Sequence, residues 1–291
     1  MEMISILDIK QFELNKNQQD FFINKIPAHI FDNQSKITKP HKHNSYLVIL
    51  FTKGSGRHEI DFNSYEIKPG TLFVLAPGQT HHWELSEDID GYIFSHTANF
   101  YDLHYSHNRI HQFPFFFSIQ NTPYLFLEDT KQKEIEVLFT KLFDEYLSKQ
   151  AFQQQMILSH IDIIYIALSR LYLAENFQKI IKTNSYSEKF QQFETLLEKK
   201  YIQEKSPSQY ADWMNISSKH LNRITKTVID KTASEVITDR IVLEAKRRVL
   251  HTKNNFSEIA ASLGYDDYAY FSKLFKKASG LTLTEFLKIY K

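Results

Sequence analysis

The chain contains no cysteine. That absence removes a disulfide framework, a thiolate zinc site and a cysteine nucleophile together. Glycine and proline are scarce as well, seven of each in 291 residues, which excludes a collagen-like or low-complexity chain. No apolar run approaches the roughly 20 residues that a membrane-crossing helix needs. The strongest candidate, 157–173, carries His160, Asp162 and Arg170 and reads as a packed helix. The first ten residues lack a basic stretch followed by an apolar core, so neither a signal peptide nor a membrane partner is expected, and a cytoplasmic location is the default. A large charge of one sign is missing too, since the formal net charge is only +1. Near-balance hides an asymmetry: residues 188–291 hold 18 Lys+Arg against 13 Asp+Glu, a net of +5, and the remainder carries −4. A basic end on an acidic body points to a polyanionic partner for that end alone.

What is present suits a soluble globular chain, with 42% hydrophobic and 24% charged residues and enough length for two cores. Five of the seven glycines and ten of the thirteen histidines precede residue 112. There, short β-branched and aromatic runs at 45–52, 58–62, 71–75 and 92–95 alternate with turn signals at 53–56, 68–70 and 76–78, which predicts an antiparallel β region, a small barrel or sandwich. From Lys131 the period changes. Ile135, Leu138, Phe139, Leu142, Phe143 and Tyr146 recur at spacings of three and four, the mark of an amphipathic helix. A second helical run, 152–177, is apolar on more than one face. The polar stretch KTNSYS, 182–187, reads as a linker.

Beyond it the chain matches itself at an offset of fifty residues: Leu221 with Phe271, Arg223 with Lys273, Ile224 with Leu274, Lys226 with Lys276, Asp230 with Gly280, Thr232 with Thr282. Each copy reads as a short helix, a tight turn and a second helix. In the first, 208–214 leads and Ser217 caps the next helix; in the second, 257–263 leads, Gly264 turns and Asp267 caps. Gly280 and Asp230 occupy the C-terminal stops, where positive φ is needed. The apolar positions leave Ser218, Lys219, His220, Asn222, Arg223 and Lys226 outward in one copy, and Tyr268, Tyr270, Ser272, Lys273, Lys276 and Lys277 in the other. Basic groups there reach phosphates, and amide, hydroxyl and guanidinium groups read base edges, so double-stranded DNA is the expected partner. Between the copies, 233–250 reads as one long helix bearing Arg240, Lys246, Arg247 and Arg248. A helical protein-interaction module shares the amphipathic pattern and is the simpler rival.

Over 206–290 the sequence resembles the AraC/XylS family of bacterial transcription regulators. The carrying residues are Ser217, Leu221 and Arg223, then Arg240, Glu244, Ala245, Lys246 and Leu250, then Ile259-Ala260, Leu263-Gly264-Tyr265, Phe271, Phe275-Lys276-Lys277 and Gly280 to Thr282. Asp230, Ala269 and Leu283 depart from the family pattern, each at a cap or turn. The resemblance implies a double helix-turn-helix domain behind a sensor and dimerisation domain, a homodimer, and contact with RNA polymerase in an activator.

The N-terminal region resembles the cupin barrel. His41-Lys42-His43 places two histidines on one face of a strand. Gly54, Gly70, Gly78 and His81 fall where metal-binding cupins have motif residues, whereas Leu47 stands in place of the usual glutamate. His41, His43 and His81 are therefore the candidate metal ligands, although a ligand-contacting or structural role without metal is the plainer reading and no cofactor is assigned. A small-molecule effector would meet His41, His43, Tyr46, Phe73, His81 and Trp83. The expected fold class is α+β: a cupin-like β-barrel (20–125) with two flanking helices (131–178) in a domain 1–181, a linker 182–187, and an all-α DNA-binding domain 188–291. The resulting function is an effector-controlled transcription regulator with no enzymatic activity; a metal-dependent cupin enzyme with an accessory helical domain is the alternative.

Overall fold

A computed structural model describes residues 5–12, 20–97, 100–101, 110, 113–116, 122–180, 186–252 and 254–290. Contacts divide the chain into two compact units, Ser5–Glu175 and the part from Asn176 onward. Of the expected linker, 182–185 lie outside the described residues, and Ser187 already opens a helix.

The first unit begins with β1 (Ser5–Leu7), a 3-10 turn at Ile9–Gln11, β2 (Phe21–Lys25) and α1 (Ile26–Ile37). Strands β3 (His41–His43), β4 (Tyr46–Lys53), β5 (Gly56–Ile60), β6 (Asn63–Ile67), β7 (Thr71–Leu75), β8 (Thr80–Leu85), β9 (Asp90–His96) and β10 (Tyr124–Phe126) follow. They form two five-stranded sheets, ordered β1-β3-β8-β5-β6 and β10-β7-β4-β9-β2. This is the cupin-like arrangement expected from sequence, in an open form: among the described residues the sheets are not closed into a barrel, and their edge strands are β1 and β6 in one and β10 and β2 in the other. The interior between the sheets holds Leu47, Ile49, Phe51, Phe73, Leu75 and Ile93 from one sheet, and Leu7, Ile60, Ile67 and Trp83 from the other.

Helices α2 (Asp129–Ser148) and α3 (Gln153–Ile180) occupy the two runs expected to be helical. Ile135, Phe139, Leu142, Ile161, Ile164, Tyr165 and Leu168 cover the outer face of the second sheet, meeting Val48, Leu50, Leu72, Val74 and Phe94. Strand β4 is thus buried on both faces, which explains its unbroken apolar run YLVILF in place of an alternating one. Helix α1 was not foreseen. Pro27 opens it, but its buried positions Ile26, His29, Asn33 and Ile37 include two polar residues, so the helical stripe is masked in the sequence.

The second unit comprises α4 (Ser187–Lys200), α5 (Pro207–Trp213), α6 (Ser218–Ile229), α7 (Ala233–His251), α8 (Phe256–Ser262), α9 (Tyr268–Ser279) and α10 (Leu283–Tyr290). Both halves of the repeat fold alike. The tight turn of the second places Gly264 at φ +78°, where a Cβ would lie 2.2 Å from the Ile202 carbonyl oxygen, so only glycine fits. In the first half Asn215 takes the left-handed conformation, φ 53°.

Two hydroxyls anchor the outer helices to β9. Tyr92 bonds Thr140 at 2.7 Å, and the buried His96 lies 2.6 Å from the Tyr165 hydroxyl. His96 Nδ1–H donates to the Thr97 carbonyl (2.9 Å), which leaves Nε2 to accept the Tyr165 proton. Burial lowers the His96 pKa to about 4. Protonation therefore favours the unfolded chain, so His96 costs nothing above about pH 6.5 and destabilises progressively as the pH falls toward 4. His96→Gln is expected to lessen the loss of stability between pH 6 and 4.5 by up to about 1.4 kcal/mol per pH unit. Urea unfolding at a series of pH values measures this, and identical pH slopes in the two proteins would contradict it.

Candidate nucleic-acid interface and histidine cluster

Helix α6 starts where a hydroxyl can satisfy its free amides: Ser217 accepts from the His220 N–H. Asp267 does the same for α9 through Ala269 and Tyr270. Both helices stop on a left-handed residue, Asp230 at φ 56° and Gly280 at φ 77°. Leu221 and Ile224 in α6, and Phe271 and Phe275 in α9, are buried. These four anchors orient the opposite faces outward. Lys219, Arg223 and Lys226 are exposed on α6; Tyr268, Tyr270, Lys273, Lys276 and Lys277 are exposed on α9. Ser218, His220, Asn222 and Ser272 are half-buried.

Four residues on or between these faces behave differently from their sequence assignment. Asn222 Oδ1 accepts the Ala233 N–H at 2.9 Å, which ties α6 to the start of α7 and leaves only the amide N–H groups to face a partner. His220 packs edge-on against Tyr186, ring centroids 5.8 Å apart, and its Nε2 is fully covered. Arg240, expected among the basic residues of the connecting helix, is only 8% exposed. It makes a forked pair with Glu198 of α4, Nε–Oε1 2.5 Å and Nη2–Oε2 3.0 Å, and stacks over Tyr201. Arg247 is 4% exposed and lies 3.6 Å from Glu244. Two of the four cations of α7 are thus buried, Lys246 and Arg248 are half-buried, and α6 and α9 keep their lysines and Arg223 exposed.

Within the first unit the structure brings His41, His43, His81, Phe73 and Trp83 together. His41 and His81 face each other across β3 and β8, and His58, absent from the expected set, faces Trp83 across β5 and β8. His43 Nε2 lies 2.9 Å from His81 Nε2, and His81 Nδ1 lies 2.9 Å from His58 Nε2. Burial is the main cause that holds His43 and His81 well below the usual imidazole range and His58 at about 3. A neutral imidazole has one N–H, so His81 donates one of these bonds and accepts the other. His58 follows the same period-of-two rule that revealed His41 and His43. His29 was hidden by the unforeseen α1; it packs on Phe12, Phe22 and Trp83. Tyr46 is the exception among the expected residues. It lies on the opposite face of β4, against His96 and Phe116.

One nitrogen each from His41, His43 and His81 lies within 4.8 Å of the others. Such a set suits a borderline transition metal and lacks the oxygen donor that iron and manganese favour. Leu47 places hydrocarbon in the same interior.

Comparison with known proteins gives both halves of the chain a counterpart. Residues 28–158 match the AraC-like ligand binding domain, and residues 210–289 match a helix-turn-helix domain. The HTH-type transcriptional activator RhaS of Mannheimia succiniciproducens is 23% identical over 262 residues, which cover 89% of this chain and 93% of that protein. The uncharacterized HTH-type transcriptional regulator YdeC of Bacillus subtilis is 23% identical over 260 residues, 86% of either chain. Among solved structures, ToxT of Vibrio cholerae strain SCE256 aligns over 96% of this chain and 98% of its own, at 15% identity and a TM-score of 0.40.

The buried arginine and the exposed lysines separate cleanly by stability. Arg240→Ala removes the buried fork that joins α4 to α7 and the guanidinium packed over Tyr201, and is expected to cost on the order of 2 kcal/mol in urea unfolding, whereas Lys276→Ala is expected to stay within about 0.5 kcal/mol.

Proposed function

The chain belongs to the AraC/XylS family of transcription regulators, and from that premise we propose that α6 and α9 enter successive major-groove segments of one operator. The observation that carries this reading is the pair of equally capped helices, each presenting exposed cations, with exposed tyrosine hydroxyls added on α9, beside a connecting helix whose Arg240 and Arg247 are buried. At 1.5 Å per residue, the 19 residues of α7 span roughly 28 Å, close to the ~34 Å of one DNA turn. On α6, Lys219, Arg223 and Lys226 serve as contacts, joined by Ser218, His220 and Asn222 at the margin. On α9, Tyr268, Tyr270, Lys273, Lys276 and Lys277 serve, with Ser272 at the margin. Arg223 is the best base reader, because its fork can bond two acceptors on one guanine edge.

The effector site of this reading is the interior around His41, His43, His58, His81, Phe73 and Trp83, without Tyr46. Among the described residues, buried His29 Nδ1 and His58 Nδ1 have no hydrogen-bond partner, which favours a small ligand carrying hydroxyl or carbonyl groups to satisfy them. A ligand acts there only by binding one arrangement of the two units better than another. The protein works in the cytoplasm as a regulator, engages RNA polymerase if it activates, and performs no reaction of its own. It dimerises through α3, where Met156, Ser159, Ile163, Ile166, Arg170 and Leu173 follow a spacing of three and four; Met156, Ile163 and Ile166 are 44%, 48% and 41% exposed.

Selection of bound duplexes from a random library by the purified chain tests the central claim; failure to enrich any sequence would remove it. On an enriched duplex, Arg223→Ala is expected to weaken binding about tenfold or more at one base position, whereas Lys273→Ala lowers affinity across sequences and reduces the salt slope by about 1. Ile163→Glu is expected to convert the dimer to monomer in sedimentation, and an unchanged mass would count against the α3 interface.

A further inference from the structure

Four arginines lie between residues 188 and 291: Arg223, Arg240, Arg247 and Arg248. Glu244 lies within ion-pair distance of the last three, and Glu198 also holds Arg240. Among the described residues Arg223 has no such acid. Its guanidinium carbon instead lies over the ring of Tyr186, 5.6 Å from the centroid. Tyr186 is the N-cap residue of α4, its carbonyl accepting the Phe190 N–H at 2.8 Å. The same ring packs edge-on against His220. Two consecutive helical turns of α6 therefore meet one aromatic residue at the mouth of the interdomain connection. Among the described residues the second repeat shows no counterpart: Tyr270 and Lys273 on α9 are exposed, and Tyr270 packs against Tyr265 of its own unit.

The chemistry of this contact is specific. An aromatic face attracts a guanidinium through its quadrupole and covers the planar face of the group, while the N–H donors point outward from the edges. A guanidinium so held keeps its fork free and loses less freedom when it meets a base. A carboxylate in the same place would consume the donors. Desolvation and the nearby cations Lys189 and Arg223 lower the His220 pKa, which disfavours a like charge beneath the guanidinium.

We propose that Tyr186 is a positioning residue that presents the Arg223 fork to the operator and makes base reading by α6 depend on how the start of α4 is held. The proposal rests on the reading of α6 as a DNA-contacting helix. Through Tyr186, a shift of the connection reaches the first recognition helix without any change in the helix itself, and the second helix is insensitive to it.

The test uses the full-length chain and a labelled duplex enriched by the wild type. Tyr186→Leu keeps apolar bulk and removes the π face; it is expected to weaken binding about threefold, with Tyr186→Phe restoring wild-type affinity. In the Arg223→Ala background the same Leu change is expected to have no further effect. Wild-type affinity in Tyr186→Leu, or an equal loss with and without Arg223, overturns the proposal. Arg223→Ala alone reports on the reading beneath it: no loss there removes α6 as a reader and the proposal with it. Thermal melts of every variant separate a folding defect from a binding defect, and if Tyr186→Leu unfolds, Tyr186→Met takes its place with the same expected outcomes.

Discussion

Glu244 stands within 3.6 Å of Arg240 and Arg247 and within 3.2 Å of Arg248, and the second unit is organised around it. One carboxylate among three guanidiniums is a low-exposure cluster in which each cation needs its partner, because an unpaired buried charge is costly. Arg240 extends the cluster to Glu198, so α4 is locked to α7. Arg248 reaches the Ser262 carbonyl and hydroxyl at the end of α8. Both helix-turn-helix halves are thus fastened to one rod by the charges that would otherwise have made that rod a DNA-binding surface. With Arg240 and Arg247 buried among acids, the exposed cations of the repeat lie on α6 and α9, and Arg223 is left with a ring in place of an acid.

The first unit obeys a different constraint. Its second sheet is covered on both faces, by the other sheet and by α2 and α3. That arrangement uses most of the apolar residues before 175, and it sends alternate residues of β4 to two separate interiors. Tyr46 and Leu47 are neighbours in sequence and belong to different cores. The histidines gather in the interior between the sheets because β3, β5 and β8 lie together and their inward positions coincide in register. Burial keeps them neutral, so they can satisfy one another and offer donors and acceptors to a neutral polar ligand.

Local rules made much of this legible in the residues. Ser217 and Asp267 cap the helices that periodicity assigned to them, and Asp230 shares the left-handed stop of Gly280. The repeat runs further than first read, since Thr232 with Glu235 and Thr282 with Glu285 bond reciprocally at the same offset. Where sequence reasoning failed, burial was decided by partners far along the chain. The openness of the sheets was not legible because edge pairing is a long-range outcome. Helix α1 escaped notice because His29 and Asn33 are buried polar residues, and the burial of Arg240 was not legible because its acid partner lies 42 residues away.

By itself the sequence determined the helix-turn-helix repeat, its caps, the outward faces of α6 and α9, and the shared face of His41 and His43. These follow from spacings of two, three and four residues, which the backbone imposes wherever the element forms. Tertiary structure alone decided that the sheets stay open among the described residues, that Tyr46 leaves the histidines while His58 joins them, and that Arg240 and Arg247 turn inward while Arg223 rests on Tyr186. Each of these depends on which distant segment packs opposite, a choice made by pairing and burial across the fold that no local period encodes.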